Sequence, residues 1–90
     1  MASDVKMKRV AATGSLAVGP ARIRSIHCKV ATGTPRLVIS DGNGGADALD
    51  VDFHSANQTV TVDIPDDGIR VSDIFVKTLT NVTALTVFYS

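Results

Sequence analysis

Apolar and polar residues alternate with a period of two over much of this chain. Val60, Val62 and Ile64 are interleaved with Thr59, Thr61 and Asp63, and Leu49, Val51 and Phe53 with Asp50, Asp52 and His54. Successive side chains of a strand point to opposite faces, so this spacing predicts strands with one buried and one solvated side. Extended to the remaining apolar runs, the pattern predicts seven strands near residues 5–10, 21–31, 35–40, 47–53, 58–64, 70–79 and 84–89. Turn chemistry separates them. Asp41-Gly42-Asn43-Gly44-Gly45 supplies glycines able to take φ > 0, and Pro65-Asp66-Asp67-Gly68 places proline where a turn favours it. Regular short strands divided by turns predict a sandwich or small barrel. The expected fold is all-β: a single small antiparallel β-sandwich, jelly-roll or Ig-like, of about seven strands over residues 1–90. Residues 1–20, rich in small side chains from Ala11 to Pro20, are expected to form a partly extended N-terminal arm.

The last run, Ala84-Leu85-Thr86-Val87-Phe88-Tyr89, is uncharged and apolar on both faces. Exposed at a sheet edge it would be an aggregation hazard. It is expected to lie centrally in a sheet or to pair across a subunit contact.

Composition agrees with the pattern. Val, Ile and Thr make up 27 of 90 residues, while Glu is absent and Gln occurs once. β-Branched side chains are stiff at χ1 and suit a pleated surface, whereas helix surfaces draw on Glu, Gln and Lys. A chain this short has a marginal core. Its single cysteine, Cys28, excludes an internal disulfide, and no Cys/His set has zinc spacing. Oligomerisation is the remaining staple. The basic start has no apolar core of a signal peptide, and no apolar run nears the roughly 20 residues that span a bilayer. Synthesis in a cytoplasm without membrane insertion is therefore expected.

Charge is segregated along the chain. Residues 1–40 carry seven cations (Lys6, Lys8, Arg9, Arg22, Arg24, Lys29, Arg36) and one acid, Asp4, a sum of +6. Residues 41–90 carry eight aspartates and two cations, a sum of −6. A neutral molecule with opposite patches is poised to dock onto its own copies or a larger assembly. If folding mixed the charges over the surface, that implication would lapse.

Signals for chemistry are sparse. Asp50, Asp52 and His54 share a predicted strand face at spacings of about 7 Å, enough for a metal or an acid/base pair. No basic neighbour is evident in the sequence to shift their pKa values, and a solvated outer face is the preferred account, because Leu49, Val51 and Phe53 already serve the core. Gly42 to Asp50 partly matches a calcium-binding nonapeptide but occurs once, where such sites need tandem copies. It reads as a hairpin turn. Cys28, between Ile26 and Val30, is expected to be a core thiol, with His27 facing the other way. No nucleophile elbow or phosphate loop is present. The basic residues suit phosphate, but the neutral total and the four aromatics argue against nucleic acid, and the absence of Trp argues against a glycan platform. No enzyme activity and no cofactor are expected.

Four stretches resemble small virion structural proteins of tailed bacteriophages, the T7-like podoviruses of marine and cyanobacterial hosts. They are residues 19–27 (GPARIRSIH), 38–45 (VISDGNGG), 63–69 (DIPDDGI) and 79–89 (LTNVTALTVFY). The resemblance implies a β-sandwich present in many copies on a particle, and it carries no catalytic motif. The expected role is a capsid decoration (cement) protein that bridges and stabilises major capsid subunits, present in the virion and made in the bacterial cytoplasm. Its partners would be copies of itself, as a trimer or ring, and a major capsid or tail protein. A tail, collar or adaptor component is the nearest alternative, and a glycan- or nucleic-acid-binding module a more remote one. Expected interface residues are Lys6, Lys8, Arg9, Arg22 and Arg24 toward acidic neighbours, Asp66 and Asp67 toward basic ones, and Phe88 and Tyr89 at a subunit contact.

Overall fold

Nested antiparallel pairing organises the chain. In the computed structural model, which describes residues 5–53, 58–65 and 68–90, the strands are β1 (Lys6–Val10), β2 (Gly14–Ser15), β3 (Ala21–Val30), β4 (Arg36–Asp41), β5 (Asp47–Asp52), β6 (Gln58–Asp63), β7 (Ile69–Val71), β8 (Ile74–Thr80) and β9 (Val82–Tyr89). The β4–β5 hairpin is the innermost pair. Around it β3 pairs with β6, β2 with β8 and β1 with β9. This long hairpin rolls into two layers, and rolling adds the β3–β9 and β4–β8 pairings. One sheet runs β1-β9-β3-β6, with β7 also on β3, and the other runs β2-β8-β4-β5. We call them sheet A and sheet B. The result is a jelly-roll sandwich, the first of the two expected types. An Ig-like chain would order its strands differently.

The β4–β5 turn forms where the glycines predict it. Asp41 N donates to Ala46 O at 2.8 Å, and Gly42 and Gly44 have φ of 77° and 82°. A Cβ at Gly45 would collide with the carbonyl oxygen of Asp41. Among the described residues, nine strands replace the seven expected. One addition is the two-residue β2. The other arises because the predicted strand 70–79 breaks at Ser72-Asp73, where the chain leaves sheet A for sheet B. Asp41 clamps that corner, accepting from Ser72 N at 2.8 Å and from Ser72 Oγ at 2.6 Å. The chain returns to sheet A at Asn81, the sole residue between β8 and β9, with φ of 52°. Asn tolerates this left-handed conformation better than most residues.

Alternation fills the space between the sheets. Ile23, Ile26, Cys28, Val30, Leu85 and Val87 of sheet A meet Leu37, Ile39, Ile74 and Val76 of sheet B in one buried cluster. Strand β9 is central, flanked by β1 and β3, so neither edge of the apolar C-terminal strand is open. The radius of gyration of 12.4 Å is close to the roughly 12 Å expected of one compact 90-residue domain.

The stretch read as an N-terminal arm is docked over its described part. Strand β1 lies along β9 from Lys6↔Tyr89 to Val10↔Leu85, and β2 adds an edge to sheet B. Leu16 then inserts into the core at 1% exposure, its amide donating to Ile74 O at 2.9 Å. An isolated leucine among small residues has no period to reveal it. Leu16→Ala should cost about 2–5 kcal/mol in urea unfolding, as for a buried leucine. A change below about 0.5 kcal/mol would mark this segment as a loosely attached arm.

Candidate functional site

Within the described strands, the fold sorts the charges between the two sheets. The strands of sheet A carry Lys6, Lys8, Arg9, Arg22, Arg24, Lys29 and Arg70 against one acid, Asp63, a sum of +6. The strands of sheet B carry Arg36 and Lys77 against Asp41, Asp47, Asp50 and Asp52, a sum of −2. Three residues separate this from the sequence halves: Arg36 enters sheet B through β4, and Asp63 and Arg70 enter sheet A through β6 and β7.

The two sheets also differ in how their charges are compensated. On sheet B, Arg36 grips Asp50 through two hydrogen bonds, Nε to Oδ1 at 3.1 Å and Nη2 to Oδ2 at 2.8 Å. Asp52 lies 4.0 Å from the same guanidinium, and Lys77 Nζ donates to Asp47 at 3.1 Å. On sheet A, Lys6, Arg9, Lys29 and Arg70 have no carboxylate partner among the described residues. Exposed cations without internal partners remain available to an external one.

The expected interface set divides under the strand register. Directly opposed residues of an antiparallel pair share a face. Arg9 is opposite Thr86 and Met7 opposite Phe88, so these four lie on the outer face of sheet A. Lys6 and Lys8 are opposite Tyr89 and Val87, on the core-facing side. Lys8 is occupied there, its Nζ donating to Leu16 O at 2.7 Å. Inward-pointing lysines on an edge strand also discourage pairing with another chain. Tyr89 is half-buried and packs against the core, whereas Phe88 stays on the outer face. Arg24 Nε donates to Ser90 Oγ at 2.8 Å. Arg22 and Arg70 are opposed in register and line a shallow depression with Pro20 and Ser90. Asp66 and Asp67 lie outside the described residues.

Two residues absent from the expected set join Arg9. His27 and Lys29 on β3 are exposed, and with Arg9, Thr59, Ala84 and Thr86 they border a depression of about 200 Å³ on the outer face of sheet A. His27 points away from the core as expected, and its Nδ1 lies 3.0 Å from Thr61 Oγ1.

The carboxylate strand is organised differently from its sequence reading. Asp50 does have a basic neighbour, Arg36, whose hydrogen bonds hold the carboxyl below its ordinary range. Asp50 is thus a fixed anion in an ion pair, unsuited to taking up a proton near neutrality. His54, the third member, lies outside the described residues. No group of three or more His, Cys, Asp or Glu is arranged to hold a metal among the described residues. The Asp41 carboxylate is engaged with Ser72. Cys28 is fully buried, and burial pushes its thiol up to about 11. The thiol form therefore dominates at neutral pH, which suits packing and not nucleophilic attack. Comparison with protein-family models, with curated proteins and with solved structures finds no match.

Asp41 ties the β7–β8 corner to acid stability. The Ser72 hydrogen bonds lower its pKa below the ordinary 3.8. A depressed folded-state value contributes stability that is complete above the unfolded value and is lost as pH falls through the folded one. The melting temperature should therefore fall on acidification below about pH 4, and less steeply in Asp41→Asn than in wild type. Parallel curves for the two proteins would show that the clamp is not linked to folding.

Proposed function

We propose that this protein is a non-enzymatic structural component of a tailed-phage particle, a capsid decoration protein that docks onto the shell and bridges its subunits. The observation that carries the reading is the charge polarity of the sandwich, +6 on one sheet and −2 on the other, with exposed cations of sheet A left uncompensated. A surface of this kind steers and orients binding to an acidic partner. Opposite polarity on the two sheets also gives neighbouring copies a favourable order, as in head-to-tail contacts of rings and lattices.

The choice of a phage particle as that assembly rests on the four sequence stretches that resemble phage virion proteins. The jelly roll is compatible with it, since viral capsid domains use that fold, although the same fold hosts many unrelated functions. In this role the mechanism is mechanical: added contact area and charge pairing hold adjacent shell subunits against the pressure of packed nucleic acid.

Copy number on purified virions, measured by quantitative mass spectrometry against the major capsid protein, tests the proposal. Hundreds of copies are expected for a protein repeated over the head lattice. Roughly six to a few dozen would move it to the tail or neck, as in rings of fixed symmetry. Absence from the particle would overturn the structural role.

A further inference from the structure

We infer that the outer face of sheet A holds a carboxylate-binding site, centred on Arg9, His27 and Lys29, that docks an acidic extended segment of a partner protein. The site refines the docking role proposed above and rests on it for its biological setting.

Its geometry follows from strand order. Arg9 on β1 is opposite Thr86 on β9, and Thr86 is opposite His27 on β3. The three stand in one row across the sheet, with Arg9 and His27 separated by two strand spacings, roughly 10 Å. Lys29 follows His27 on the same face, about 7 Å along β3, and is opposite Ala84 on β9 and Thr59 on β6. Short side chains on the middle strand, Ala84 and Thr86, lie between longer ones on its neighbours. That difference in length makes the depression of about 200 Å³.

The chemistry is that of an anion site. Arg9 and Lys29 are exposed and lack a carboxylate partner among the described residues. Thr59 and Thr86 add hydroxyls at its border, and the contact with Thr61 Oγ1 orients the His27 ring. A guanidinium binds carboxylate in a bidentate fork, and an ammonium adds a point charge beside it. Donors spread over roughly 10 Å fit successive acidic side chains of an extended chain better than one small ion. Nucleic acid is the less favoured occupant, because Phe88 is the only aromatic on this face among the described residues and single strands need stacking platforms.

The test is fluorescence anisotropy with the 90-residue chain and a labelled ten-residue oligo-aspartate. Oligo-asparagine and an oligothymidylate of similar length serve as comparison probes. Arg9→Ala/Lys29→Ala should weaken oligo-aspartate binding by about tenfold, the scale of losing two solvent-exposed ion pairs. Lys6→Ala/Arg70→Ala removes the same charge from the same sheet and should change binding by less than about twofold. Circular dichroism confirms that both variants are folded. Equal losses in the two variants would reduce the effect to net charge and overturn the site. Tighter binding of oligothymidylate would overturn it in favour of nucleic acid. No binding of oligo-aspartate would overturn it outright. These outcomes are read on the isolated protein, so they stand apart from the copy number that decides the virion role.

Discussion

The pairing of β9 with β3 is the contact on which the rest of the molecule depends. It runs from Ile23↔Tyr89 to Val30↔Val82 and is extended by reciprocal backbone hydrogen bonds between Arg22 and Ser90 at 2.8 and 3.0 Å. The apolar C-terminal strand is placed against the longest strand of the sheet, and Leu85 and Val87 are buried beside Ile26 and Cys28. Its other edge seats β1, which pairs with no other strand among the described residues. Burial of apolar surface fixes this seam, because a slip of one residue would turn Leu85 and Val87 outward. The position of β1 is thus a consequence of core packing near the other end of the chain.

That arrangement creates the surface. Strands β1 and β3 are the two richest in cations, and β9 brings them within one sheet without adding charge of its own. The acidic β5 is led into the other sheet by the β4 hairpin, where Arg36 and Lys77 compensate it. A fold with the same strands in another order would interleave basic and acidic neighbours and pair them internally. Here the core establishes the strand order, and the strand order leaves sheet A with cations that no described carboxylate neutralises. The Asp50–Arg36 pair shows the contrasting case: a group with a strong internal partner is committed to structure and has little left for chemistry.

The class of fold was legible because alternation depends only on adjacent residues. The polar faces of β5 and β6 and the glycine-rich turn between β4 and β5 announce themselves locally. What was not legible required contact between distant segments or lacked a pattern. Leu16 stands alone among small residues, and β2 is too short to alternate. The corner at Ser72-Asp73 did leave a trace: Val71 and Ile74 are three apart, so the apolar phase shifts by one residue there. The Arg36–Asp50 pair spans a hairpin whose register includes a bulge between Ile39 and Ser40. Arg9, His27 and Lys29 looked unrelated because their meeting depends on β9 lying between β1 and β3. Lys8 and Arg9 are neighbours in sequence and divide between two faces, which charge counting does not resolve.

In the proposed role, docking uses the uncompensated cations of sheet A. Zero-length carbodiimide coupling on purified particles, mapped by mass spectrometry, is the decisive experiment, because it joins lysine amines only to carboxylates in contact. Links are expected from Lys29 to aspartate or glutamate of a neighbouring protein, and none from Lys77, whose amine is held by Asp47. Intermolecular links through Lys77 with none through Lys29 would contradict it, and would place the contact on the acidic sheet.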